Sequence, residues 1–314
     1  MLTERRASAR LSKVAGAIPE IPVASRSMST DDPRRVKLSI VVYLILTFAL
    51  SSIFYWLNIH RPHALAGTSI LCLMWCPGVS GILTRLLFQG NLRGAGWGWG
   101  KWKYQFASYW VPLVYASVVY LPLWAMGYVD FHAKALTYFA GMVHAHLPWA
   151  GIVVLYFVIL ATLGVAGSCI SALGEELGWR GFLVPQLAKV TSFGGVGFIS
   201  GCIWALWHYP LILFGDYHGA GPRWFSVVCF TVLVVSAAFL FAWMRLRSGS
   251  LWTGMLLHAS HNLFIQAFFD PLTRQTKLTG YVTTEFGAGL AVVLLIIAFV
   301  CYRRRNELPS PTSA

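Results

Sequence analysis

Glu175 and Glu176 stand side by side at the end of an apolar run, in the order Glu175-Glu176-Leu177-Gly178-Trp179-Arg180. A carboxylate at membrane depth costs about 2.5–3.5 kcal/mol on insertion scales, so two in succession need a reason. If the stretch is helical, Glu176 and Arg180 fall at i, i+4 with the acid first, the better orientation for an ion pair. Neighbouring side chains on a helix diverge by about 100°, so Glu175 points elsewhere and is not satisfied by Arg180. Two more apolar stretches carry imidazoles. Trp204-Ala205-Leu206-Trp207-His208 ends in a histidine with Pro210 just beyond, and His258-Ala259-Ser260-His261-Asn262 places His258 and Asn262 on one helical face.

A lone intramembrane histidine is usually a hydrogen-bonded core residue. Three polar clusters that all need partners are buried most cheaply together. Assembled, they make a hydrolytic set: Glu175 as general base on a water, His208 orienting or activating it, and His258 with Asn262 donating hydrogen bonds to the oxyanion of an attacked amide. Glu175, His208 and His258 could instead hold Zn²⁺, whose bound water ionises near neutral pH. No HExxH is present, so a metal is possible without being required.

The elements that must carry these residues follow from composition. The chain is 57% hydrophobic and 11% charged over 314 residues, which sets aside a soluble reading. A hydrocarbon slab about 30 Å thick takes roughly 20 apolar residues per helical crossing. Apolar runs of that length predict crossings near 38–59, 66–88, 105–126, 149–172, 194–214, 224–244, 251–269 and 285–302, with a less apolar link over 173–193. The expected fold class is all-α: a polytopic transmembrane bundle of about eight helices around a polar intramembrane cavity. Residues 1–36 read as a disordered basic tail, 37–302 as the transmembrane domain with its core at about 170–270, and 303–314 as a short C-terminal tail. The segment from Met28 would itself make a natural N-terminus, which the intact mass of the native protein distinguishes.

The net charge of +13 sits in the tails and short links, so topology explains it better than a nucleic-acid partner does. With both termini in the cytoplasm, Arg93, Lys101, Lys103, Arg180, Lys189, Arg245, Arg247 and Arg303-Arg304-Arg305 share the cytoplasmic side of the plasma (inner) membrane. WGWGKWKY (97–104) reads as an interfacial anchor, and Gly94, Gly96, Gly98 and Gly100 follow no strand, as a dinucleotide fingerprint would require. The six cysteines lie in or beside apolar runs and predict packing, with no disulfide framework. His132, His144 and His146 gather in one link and are expected at the surface.

The three polar clusters, in this order, resemble the CPBP family of intramembrane proteases, which includes the CAAX prenyl endopeptidases and bacteriocin-immunity relatives. The family is marked by EExxxR, FxxxH and HxxxN or HxxxD. Here the first motif is complete as Glu175-Glu176…Arg180 and the third as His258…Asn262, while Trp204 replaces Phe before His208. The stretch MWCPGVSGILTRL (74–86) is also similar to the region before the core in bacterial members. The resemblance implies Glu175 as the water-activating base, His208 as its partner, and His258 with Asn262 as transition-state stabilisers or metal neighbours. It makes Glu176, Arg180 and Trp204 supports, leaves His261 outside the motif, and leaves the cofactor open between Zn²⁺ and none. The implied partners are the lipid bilayer and a peptide or prenylated-protein substrate, such as a CAAX-like tail or a membrane or secreted peptide precursor. The alternatives are a non-catalytic membrane peptide-binding or bacteriocin self-immunity protein and a proton-coupled transporter. The last is disfavoured because the polar motifs occupy only the C-terminal half.

Overall fold

The structure, a computed structural model, describes residues 32–61, 67–144 and 147–309. Residues 1–31, His146 and 310–314, on which part of the tail and histidine expectations rest, lie outside the described residues. The described chain is a helical bundle: α1 Pro33–His60, α2 Thr68–Gln89, α3 Trp102–Leu123, α4 Lys134–Met142, α5 Trp149–Ala188, α6 Phe193–Phe214, α7 Arg223–Ser248, α8 Leu251–His261, α9 Lys277–Val282 and α10 Ala288–Arg303. Helix α3 runs on through a π-helical turn to Tyr128, and α8 through a π-helical stretch, Asn262–Phe269. Six of these helices (α1, α2, α3, α5, α6 and α7) are long and apolar enough to cross a membrane, while α10 is shorter. The multi-pass all-α architecture is thus the expected one.

Two expectations are corrected. Helix α1 takes in 33–36, assigned above to the tail, because the Asp32 carboxylate accepts from the Arg34 amide and Pro33 occupies the first turn, where its missing N–H costs nothing. The supposed link at 173–193 is mostly helix: α5 continues to Ala188 through two π-helical turns, Leu160–Gly164 and Trp179–Leu183. Its mixed composition reflects burial inside the bundle, since Gly174 through Val184 are all buried.

A π turn loosens the regular ladder and frees carbonyl oxygens, which must find donors in a dry interior. Two buried arginines supply them. Arg85 on α2 donates to the Gly181 carbonyl at 2.7 Å, and Arg245 on α7 donates to that of Arg180 at 2.9 Å. Both also reach the Gly94 carbonyl at 3.2 Å, which pins the loop between α2 and α3 against α5. Gly96 in that loop has φ +92°, and a Cβ there would lie 2.8 Å from the Arg245 guanidinium. Arg180 and Arg245, both counted above on the cytoplasmic side, are interior structural groups. Trp97, Trp99 and Trp102 of the same region are exposed.

Helices α2 and α5 cross with backbones almost touching. Gly78 and Gly81 of the 74–86 stretch face Gly174, Leu177 and Gly178, the close approach that small residues allow between membrane helices. This crossing sets the depth of Glu175 and Glu176, which lie between its two α5 glycines. Only 6% of the most apolar window of α5 is buried, so much of that helix faces outward from the bundle. Gly178→Ala would put a methyl into the Pro77 carbonyl and 2.6 Å from the Tyr43 hydroxyl. The expected result is a loss of about 1–3 kcal/mol of stability, read as a lowered unfolding midpoint in detergent.

Candidate active site

The acidic pair is resolved as two different environments. Glu176 is fully buried, and its Oε1 accepts from Arg180 Nη1 at 2.8 Å and His258 Nδ1 at 3.0 Å. The Arg180 guanidinium is held between two aromatic faces, 4.2 Å from the Trp204 ring centre and 4.1 Å from that of Phe241. A desolvated cation–π contact of this type contributes about 2 kcal/mol and fits the flat guanidinium better than an ammonium. The i, i+4 pair expected for Glu176 and Arg180 is therefore present, with Trp204 as one wall of its cage. Gly254 on α8 makes room for it, since a Cβ there would stand 2.7 Å from Glu176 Oε2.

Glu175 is 1% exposed and turns away from Arg180. Its Oε2 accepts from the indole N–H groups of Trp179 at 3.2 Å and Trp204 at 2.9 Å. No hydrogen bond to Oε1 is seen among the described residues. Two neutral donors steady the carboxylate without cancelling its charge, and one oxygen stays available.

His208 and His258 each commit Nδ1. The His208 Nδ1–H donates to the Trp204 carbonyl at 2.9 Å, and the His258 Nδ1–H donates to Glu176. Each ring thus has Nε2 uncommitted in its neutral form. Glu175, His208, His258 and Asn262 all line a cavity of about 580 Å³. Its apolar walls include Leu73 from α2, Leu160 from α5 and Phe230 from α7. The structure thus brings together the four residues singled out for hydrolysis, from three chain segments, around one space.

A metal was left open. Fixing the second nitrogen on an oxygen is how ligand imidazoles are commonly held. Even so, no three His, Cys, Asp or Glu side chains among the described residues converge closely enough to share an ion.

Residues 155–264 match the family model described as type II CAAX prenyl endopeptidase Rce1-like. This Rce1-like segment is about a third of the 314-residue chain. Every motif residue from Glu175 to Asn262 falls inside it, so the family expected from three short motifs is the one found. A CAAX prenyl protease 2 of Methanococcus maripaludis is 26% identical over 113 residues, which is 35% of this chain and 41% of that relative. The aligned part therefore spans less than half of the relative's length.

Several polar groups around the Rce1-like core were not anticipated. His261, outside the motif, bonds Glu285 at 2.7 Å and the Tyr115 hydroxyl. Tyr217, Gln266 and Glu285 also line the cavity. Glu285 stands at the first residue of the last predicted crossing, and nothing in its local pattern marks it; the hint in the sequence is His261, one turn from His258 and lacking a motif partner. His132 and His144 are exposed, away from this cluster. Replacing Arg180 with Lys keeps the charge but loses the aromatic sandwich. The expected loss is about 2 kcal/mol of stability, measured as a lower unfolding midpoint than wild type, whereas Arg247→Lys at the end of α7 serves as a neutral control.

Proposed function

We propose that the chain is an intramembrane endopeptidase that hydrolyses a peptide bond with a water activated by Glu175. The observation that carries this reading is the convergence of Glu175, His208, His258 and Asn262 on one cavity in a protein whose helices are apolar enough to cross a bilayer. The Methanococcus maripaludis relative, a CAAX prenyl protease 2, points the same way.

In this reading a water sits between Glu175 Oε1 and His208 Nε2. Glu175 takes the proton as hydroxide adds to the carbonyl carbon, then returns it to the leaving amine. The Trp179 and Trp204 indoles hold the carboxylate still while this happens. The Asn262 amide and His258 Nε2 face the developing oxyanion. To donate from Nε2, His258 has to carry a second proton, for which Glu176 supplies the counter-charge. The candidate substrates are a CAAX-like tail, a membrane-embedded peptide or a secreted peptide precursor. The basic residues of the α2–α3 loop and of the chain's end place both termini on the cytoplasmic side of the plasma membrane in this proposal.

The test is cleavage of a peptide library by protein reconstituted in bilayers. Glu175→Gln and His208→Ala are each expected to lower turnover at least about 100-fold. Asn262→Ala should do so by about 10²–10³, the usual effect of removing an oxyanion donor. Cleavage that survives Glu175→Gln removes the mechanism, and loss of cleavage with a chelator assigns the water to a metal. A protein that binds peptides but never cleaves them is a recognition or immunity protein.

A further inference from the structure

A buried carboxylate outside the three motifs ties several segments of the chain together around the same cavity. Glu285 lies in the loop before α10 and is 6% exposed. Its Oε1 accepts from His261 Nε2 at 2.7 Å, and its Oε2 accepts from the Tyr217 hydroxyl at 2.6 Å and Gln266 Nε2 at 3.0 Å. These donors come from α8, the loop after α6 and the π-helical end of α8. The Tyr115 hydroxyl on α3 meets the other His261 nitrogen. The preceding residue, Thr284, has φ +65°, a left-handed conformation that a β-branched residue adopts only at a cost. That strain is held in place, since the Thr284 amide donates to the Tyr120 hydroxyl at 2.8 Å, which in turn bonds Asp270.

This cluster reaches the reactive end of the cavity through Tyr217. The Tyr217 ring lies 5.8 Å from the His208 ring, tilted by 32°, and Phe230 lies 4.9 Å from the same imidazole. Phe286, next in sequence to Glu285, stacks on Phe230 at 5.6 Å and meets Tyr217 edge-on at 4.9 Å. Two walls of the aromatic box around His208 are therefore fixed by the Glu285 segment. Glu285 itself is occupied by three donors and offers nothing free to a substrate.

We propose that Glu285 is a positioning residue for His208: by anchoring Tyr217, it fixes the face of the imidazole and so aims His208 Nε2 at the water beside Glu175. The inference rests on the protease reading. Its role is separate from any motif of the Rce1-like core, because Glu285 lies beyond the matched residues.

The experiment uses full-length protein in bilayers and a peptide that the wild type cleaves, measuring kcat, KM and the stoichiometry of binding of an uncleavable analogue. Glu285→Ala is expected to lower kcat about 10- to 100-fold with KM and stoichiometry unchanged, the size of effect that misplacing a reacting group produces. Glu285→Gln, which can still accept from His261 and bond Tyr217, should restore most of the rate. Tyr217→Phe removes a single hydroxyl and keeps the ring, so it tests the link even if Glu285→Ala fails to fold; a fall of about 3- to 10-fold at full stoichiometry is expected. Wild-type kcat in both Glu285→Ala and Tyr217→Phe, or a stoichiometry that falls in proportion to kcat in both, overturns the inference alone. Wild-type protein that binds peptides without cleaving any overturns the protease reading and this inference with it.

Discussion

Two consecutive carboxylates have to be buried in an apolar bundle, and the bundle resolves this by treating them unequally. Glu176 is neutralised by Arg180, whose guanidinium is in turn desolvated between Trp204 and Phe241. Glu175 receives only neutral indole donors. Removing a partner from a buried ion pair leaves an uncompensated charge and costs several kcal/mol, so the Glu176 pair constrains everything near it. The glycine at 254, the aromatic residues at 204 and 241, and the imidazole at 258 all border that pair. What distinguishes Glu175 is that its partners leave its charge in place.

The same logic extends to the π-helical turns. A turn that widens after Arg180 shifts the side chains that follow and releases carbonyls, and Arg85 and Arg245 take those carbonyls up. Arg245, counted by charge alone among the cytoplasmic cations, and Arg85 are thus part of the scaffold under the acidic pair. Among the described residues, the buried Asp, Glu, Lys and Arg side chains are Arg85, Glu175, Glu176, Arg180, Arg245 and Glu285.

Much of this was legible from residue types and spacing. Acids within an apolar run, imidazoles on separate runs and an i, i+4 acid–base pair are dictated by local geometry and the cost of burial, so Glu175, Glu176, Arg180, His208, His258 and Asn262 could be found without coordinates. The helical nature of 173–188 was missed because a buried polar face in a membrane helix looks like a link to any hydropathy count. The start of α1 was placed late because its signal is one capping aspartate and one proline. Glu285 was missed for a deeper reason: its partners Tyr217, Gln266 and His261 are assembled by tertiary packing, and a single acid after two threonines carries no trace of them.

The match to the family model ends at residue 264, but the forces that hold that segment do not. Tyr43 from α1 packs against Trp179 and Phe182, and Arg85 from α2 anchors the turn after Arg180. The boundary of recognisable ancestry is therefore not a boundary of cohesion. An excised core would carry every motif without Tyr43 and Arg85, so swapping that segment between distant relatives amounts to transplanting an organ without part of its blood supply.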